Sequence, residues 1–384
     1  MNHFQTELES LHQNNLWRSL REIESAQGPL VQHAGKTYLN FASNDYLGLA
    51  NNPQVIKATQ LALTKWGTGS GSSRLVAGSL SIHHELEKSI AEFKHAEAAL
   101  IFSSGYQANI GVIQALIGKD DCVIVDRYAH ASIVDGARLS GAKIQVCAHL
   151  DTLALSKILA KNKAKKCLVI TDSYFSMDGD LVPLEEYIKI CKQNGTLLMV
   201  DDAHGVGVYG ESGEGVVSRE LMQQCDIVTG TFSKSLGSQG GFVVAKEDVI
   251  DYLRNKARSF IYSTGPNPAS SAATLESITI LKSNPALRET LWSNIDYVRQ
   301  ELIHIGCDLM NSQGPIIPIL IGDTHKAMLI SQKLLESGIL APAIRPPTVS
   351  KNTDRIRITI TAKHTKADID KFLTTLRSIL EENK

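Results

Sequence analysis

Seven short apolar runs punctuate the middle of the chain, at Ala98–Phe102, Cys122–Val125, Ile144–Cys147, Cys167–Thr171, Thr196–Val200, Asp226–Thr229 and Gly241–Ala245. Between most of them lie stretches of helical periodicity, such as Ile110–Ile117 and Leu153–Leu159. Continuous runs rich in β-branched residues suit strands buried on both faces, and intervening helices supply the crossovers that parallel pairing requires. The pattern predicts an α/β fold on a large, mostly parallel, seven-stranded sheet. Only a loop separates the last two runs, so one strand there is expected to run antiparallel.

The pattern changes after Pro266-Asn267-Pro268. Helical stretches at Ala269–Lys282 and Leu287–Ile305 lead to apolar runs at Ile316–Ile321 and Arg355–Thr361, and a last helix is expected near Lys366–Leu380. The expected organisation is an N-terminal helix and strand segment (1–45), a large α/β domain (46–265) and a smaller C-terminal α+β domain (266–384). A chain of 384 residues can bury cores for two such lobes. Near the start, Phe4, Leu8, Leu11, Leu16, Leu20 and Ile23 fall at roughly helical spacing, which predicts an amphipathic helix that docks on the body. A short strand is expected at Tyr38–Phe41.

Charge is balanced, 39 Lys+Arg against 40 Asp+Glu, so no general attraction to nucleic acid or an anionic membrane follows. The six cysteines are scattered, with no close pair of the metal-knuckle or redox kind, and a reducing compartment is the simpler reading. Glu7 and Glu9 interrupt the N-terminus, which does not read as a secretory signal, and no apolar run reaches membrane-spanning length. These features predict a soluble, cytoplasmic protein.

Ligands of open α/β sheets bind beyond the carboxyl ends of the strands. Candidate groups recur there. Ser103-Ser104-Gly105-Tyr106 follows the first run, His130 the second, Ser176 the fourth, Asp201 and His204 the fifth, and Thr231 and Lys234 the sixth. A lysine is ordinarily a solvated surface residue. Lys234, however, lies in Thr231-Phe232-Ser233-Lys234-Ser235-Leu236-Gly237, where its amine can form a Schiff base while hydroxyls and backbone N–H groups hold a phosphate. Asp201, at the end of another apolar run, can keep the ring nitrogen of such a cofactor protonated. That is the chemistry of pyridoxal 5′-phosphate (PLP).

Plainer readings stand beside these. Asp201 and His204 could be a metal site or a capped turn, although a catalytic metal would want more ligands nearby. His130, between two alanines, could be a core histidine. Ser103-Ser104-Gly105 could be a helix cap or a phosphate site. The loop Gly67–Ser73 has a Gly-x-Gly pattern that invites a nicotinamide-dependent dehydrogenase, but no clear strand precedes it and the pattern is incomplete.

Together the segments resemble the α-oxoamine synthases, PLP-dependent transferases of fold type I. The likeness rests on Ser43–Leu49, Ser104–Asn109, His130-Ala131-Ser132, Ser176–Asp180, Val200–Gly205, Thr231–Lys234 and Arg355–Thr359. Ala343–Val349 looks most like the biotin-pathway branch, although the family usually has proline after that valine, where Ser350-Lys351-Asn352 stands here. The resemblance implies that Lys234 carries the cofactor and then acts as base at the substrate α-carbon. It implies that Asp201 pairs with the ring nitrogen, His130 stacks on the ring, and Ser176 and His204 bond its phenolic oxygen. Gly105, Tyr106 and Thr231 would hold the phosphate. Arg357 with Asn44 would bind the substrate α-carboxylate, and Arg18 and Thr348 would lie near the acyl substrate. The implied reaction condenses L-alanine with a pimeloyl thioester, of coenzyme A or acyl carrier protein, with loss of carbon dioxide. Sister activities use glycine with acetyl, succinyl or long-chain acyl thioesters. The resemblance also implies a homodimer, with Gly67–Ser73 and Ser263-Thr264 reaching toward the partner's cofactor.

Overall fold

In the computed structural model, which describes residues 3–13 and 16–382, α1 (His3–Gln13) precedes a hairpin of β1 (Leu30–His33) and β2 (Lys36–Asn40). Two helices follow, α2 (Pro53–Trp66) and α3 (Ser81–Phe93). The chain then alternates through β3 (Ala98–Phe102), α4 (Gly105–Leu116), β4 (Cys122–Asp126), α5 (Ala131–Ser140), β5 (Lys143–Cys147), α6 (Thr152–Lys161) and β6 (Cys167–Asp172). It continues with α7 (Leu184–Gln193), β7 (Leu197–Asp201), α8 (Arg219–Met222), β8 (Ile227–Thr231) and β9 (Gly241–Ala245). Four helices come next: α9 (Glu247–Lys256), α10 (Arg258–Ile261), α11 (Pro268–Ser283) and α12 (Ala286–His304). The last part comprises β10 (Ile316–Leu320), α13 (Thr324–Glu336), β11 (Ile339–Leu340), β12 (Ala343–Ile344), β13 (Arg355–Thr359) and α14 (Lys366–Glu382).

All seven expected strands join one sheet in the order β3-β9-β8-β7-β6-β4-β5. Only β9 runs against its neighbours, as the short β8–β9 connection requires. The pleat divides the strand residues between two cores. Val123 and Val125 face one layer with Leu168, Ile170 and Met199, while Cys122 and Ile124 face the other with Val169, Leu198 and Val200. Helices cover both faces, so almost every sheet side chain is removed from water, each large aliphatic one contributing roughly 1.5–3 kcal/mol. The carboxyl ends of β3, β4, β6, β7 and β8 consequently share one rim, and β6–β7 pairing sets Asp172 beside Asp201.

Two three-stranded sheets complete the molecule, β10-β13-β12 and β1-β2-β11. The second unites the two ends of the chain, because β2 pairs in parallel with β11, Leu39 opposite Ile339. Helix α11 packs on α2 and α3. It begins on Asn267, whose side chain accepts from the Ala269 N–H before Pro268 at the first turn, and α2 begins in the same way on Asn52 and Pro53.

The N-terminal expectation needs correction. Helix α1 stops at Gln13 instead of running on past residue 20, and Leu16, Trp17 and Leu20 are exposed. The apolar spacing continues, but Asn14-Asn15 breaks the run of good helix formers. Those two residues, with Met1, Asn2, Asn383 and Lys384, lie outside the described residues. His12 and Trp17 stack at 4.1 Å between ring centres. All six cysteines are free thiols, five of them buried. Among the described residues no helix is long and apolar enough to cross a membrane.

Candidate active site

The strand ends assemble the site from its floor upward. Asp201 closes β7 and is buried; its Oδ2 accepts from the Asn109 side-chain amide at 2.6 Å and its Oδ1 from the Ala203 N–H at 3.0 Å. Asn109, on α4, accepts from the Thr229 hydroxyl at 2.8 Å and donates to the Ser132 hydroxyl at 2.8 Å. The Ser132 hydroxyl in turn lies 2.7 Å from Nδ1 of His130. One side-chain network thus fixes Asp201 and the His130 ring together. His130 is exposed, so the core-histidine reading fails.

Asp172, paired in register with Asp201, accepts from the His130 N–H at 3.1 Å. Burial first, and then the Asp201 charge, push its pKa well above the usual carboxylate range, which favours its neutral form. Lys234 reaches the same place from the loop after β8. Its amine makes no hydrogen bond or ion pair among the described residues. Burial pulls its pKa down to about 8 against the opposing pull of Asp201 and Asp172. A lysine so placed can serve as a nucleophile or a proton acceptor at mildly alkaline pH.

His204 is buried with Nδ1 2.7 Å from the Tyr46 hydroxyl. Burial, followed by the nearby Lys234 and Arg357 charges, holds its pKa well below the ordinary histidine value, so the ring is neutral. The Tyr46 hydroxyl also donates to Asn44 Oδ1 at 3.4 Å, and Nε2 of the neutral ring makes no hydrogen bond among the described residues. Arg357, central in β13, donates from Nε to the Ser176 carbonyl at 2.6 Å and from Nη2 to Asn44 Oδ1 at 3.3 Å. The expected Arg357–Asn44 pair is therefore assembled from chain positions 313 apart.

The start of α4, the end of β8 and the start of β9 abut closely. A Cβ on Gly105 would lie 3.2 Å from Thr231 Cβ, and one on Gly241 would lie 2.5 Å from Gly105 Cα. Ser104 caps α4 by accepting from the Gln107 N–H at 3.1 Å, leaving the Gly105 and Tyr106 N–H groups at a helix N-terminus. The Thr231 hydroxyl donates to the Gly240 carbonyl at 2.7 Å and lies 2.7 Å from the Ser233 hydroxyl. The segment is a helix cap whose remaining N–H groups can receive an anion.

Ser176 and Thr348 share a cavity of about 300 Å³. Thr348 also lines a larger one of about 870 Å³ with Arg18, between the N-terminal segment and residues 343–348. Both Arg18 and Thr348 are exposed. The Gly67–Ser73 loop follows helix α2, not a strand, so the dinucleotide arrangement does not form. Instead Ser73 bridges Thr264, and the Ser70 hydroxyl donates to the Pro266 carbonyl at 2.6 Å. No group of three or more potential metal ligands gathers among the described residues. Sequence reasoning gave no role to Asn109, Asp172, Tyr46 or Ser132. Asn109 carried a usable signal, a polar residue on the apolar face of α4.

Residues 36–376 match the family Aminotransferase class I and II. The chain is 43% identical to 8-amino-7-oxononanoate synthase of Thermoanaerobacter pseudethanolicus, covering 97% of this chain and 95% of that protein. It is 45% identical to the protein of the same name from Geobacter metallireducens, over 98% of this chain and 97% of that one. Among solved structures it resembles serine palmitoyltransferase of S. paucimobilis with a bound PLP–myriocin aldimine, with a TM-score of 0.93 and 32% identity over 99% of this chain and 97% of that one. Near-complete coverage at these identities, on a fold whose strand ends gather a lysine, an aspartate and an anion cradle, shows that the chain belongs to the aminotransferase class I and II family, in its group of 8-amino-7-oxononanoate synthases.

Proposed function

We propose that this chain condenses L-alanine with a pimeloyl thioester to give 8-amino-7-oxononanoate, carbon dioxide and free thiol, a step of biotin biosynthesis. The observation that carries the reading is the meeting of an unpartnered Lys234 amine with the buried carboxylate of Asp201 at the rim of the sheet. This donor set fits PLP, because amine, carboxylate and anion cradle match its aldehyde, ring nitrogen and phosphate. In that assignment Lys234 would hold the aldehyde carbon, Asp201 the ring nitrogen and His130 the ring face. Ser176 and Nε2 of His204 would face the phenolic oxygen, and Gly105, Tyr106 and Thr231 would hold the phosphate. When bound, PLP supplies an electron sink for negative charge at the substrate α-carbon.

The chain's own groups do the rest. Arg357 and Asn44 orient the α-carboxylate of alanine, a task suited to a planar donor. Lys234 takes the α-proton, and a pKa near the working pH suits that exchange. The new carbon–carbon bond joins the α-carbon to the thioester carbonyl as the carbon–sulfur bond breaks, and the original carboxylate leaves as carbon dioxide. Arg18 and Thr348 support a path for the acyl donor, on coenzyme A or carrier protein. We assign the working form to a cytoplasmic homodimer, with the bridged loops at Ser73 and Thr264 facing the partner.

Free-thiol release tests the reaction. L-alanine with a pimeloyl thioester is the expected active pair, and activity with glycine alone would overturn the substrate assignment. A second prediction concerns pH. Uptake of PLP by the apoenzyme needs the neutral amine, so its rate should rise with pH and level off above about 8, not near the ordinary lysine value of 10.5. Stopped-flow absorbance across that range checks it.

A further inference from the structure

The smaller cavity runs from Ser176, whose carbonyl engages Arg357, to the loop of residues 347–350. At about 300 Å³ it is at the lower end of small-ligand pockets, room for a short acyl chain but not for the carrier of a thioester. Three charged side chains line it, Arg127, Arg355 and Asp178. Two of them cancel. Arg355 is buried, donates from Nη1 to Asp178 Oδ1 at 2.7 Å and to the Met177 carbonyl, and from Nε to the Thr353 carbonyl. Arg127 differs. Its backbone N–H is pinned to the Cys147 carbonyl at 3.0 Å directly after β4, yet its exposed guanidinium makes no hydrogen bond or ion pair among the described residues.

Phe175, Met177, Pro347 and Val349 contribute apolar surface to a cavity whose lining is otherwise mainly polar, and Arg127 is its cation outside any ion pair among the described residues. At its mouth the Tyr128 hydroxyl lies 3.3 Å from the Ser350 hydroxyl, tying the loop to the end of β4. Ser350 stands where the family resemblance leads one to expect proline, so this tie belongs to the present chain. A narrow slot of mixed lining with a free guanidinium suits a short chain of methylene groups ending in a carboxylate, which arginine can grip with two parallel hydrogen bonds.

We infer that Arg127 selects acyl donors whose far end is a free carboxylate, binding that group in the cavity lined by Phe175 and Met177. The inference rests on the functional reading above and names the determinant of its acyl specificity. Pimeloyl-coenzyme A and its ω-methyl ester are the two probes. Each is titrated calorimetrically into the holoenzyme without alanine and then assayed for thiol release with L-alanine. In Arg127→Gln, the Kd and KM of the free-acid donor should rise about ten- to hundred-fold with kcat little changed, while the methyl ester is unaffected. Arg127→Lys should recover part of the loss. Equal weakening of both donors, or none of either, overturns the inference while leaving the reaction intact. A wild-type enzyme that turns over neither pimeloyl donor overturns the functional reading and this one with it.

Discussion

Lys234→Ala should lower kcat/KM by about 10³-fold or more, because it removes both the covalent anchor and the proton acceptor at the α-carbon. The purified variant should also lack the visible absorbance that borohydride bleaches in the wild type. Its stability should move the other way. The Lys234 amine makes no hydrogen bond or ion pair among the described residues, and burial has lowered its pKa to about 8 from the ordinary 10.5, so the charged form costs the fold stability. A group whose folded pKa lies below its unfolded value destabilises fully at pH values under the folded pKa. The urea midpoint of the apoprotein should therefore hold or rise on substitution, most clearly below pH 8, with the gain fading toward pH 10.5. A large loss of activity together with a lowered midpoint would mark the lysine as structural and count against the site assigned here.

The second large effect is expected beneath the site. Lys94 and Asp202 are both fully buried, and Nζ lies 2.6 Å from Oδ2. Asp202 also accepts from the Ser173 hydroxyl at 2.6 Å and the Val216 N–H at 3.2 Å, while Lys94 donates to the Glu214 carbonyl as well. Lys94→Met leaves a carboxylate buried without its counter-charge, which should destabilise the fold by about 3–5 kcal/mol. Because Asp202 directly follows Asp201, cofactor retention should fall too. Chemical denaturation measures the first effect and cofactor content after gel filtration the second. Adding Asp202→Asn removes the stranded charge and should restore part of the stability; failure to do so would refer the loss to packing around the lysine stem.

These two lysines also show what could be read in advance. Lys234 was legible because it follows a strand run and keeps company with hydroxyls and glycine, and six of the seven strands were legible because both their faces are buried, the edge strand β5 being the exception. Lys94 was not. Beside Phe93 at a helix end it reads as a solvated residue, and only the fold brings a partner 108 positions away. Asp172 likewise looks like the polar end of a strand until pairing sets it against Asp201. The resemblance placed Arg357 with Asn44, which no local pattern could do. The two-residue strands β11 and β12 are set by their partners alone, and α1 was over-extended because apolar spacing outlasted helical propensity.

The pairing of Leu39 with Ile339 spans 300 positions (339 − 39) and has a bearing on biogenesis. A ribosome delivers β2 long before its parallel neighbour exists, so the nascent chain must complete the central sheet while that edge waits. The opening segment behaves as a clasp fastened at the end of synthesis. Products truncated ahead of Ile339 would emerge with the edge permanently open, available to pair between molecules.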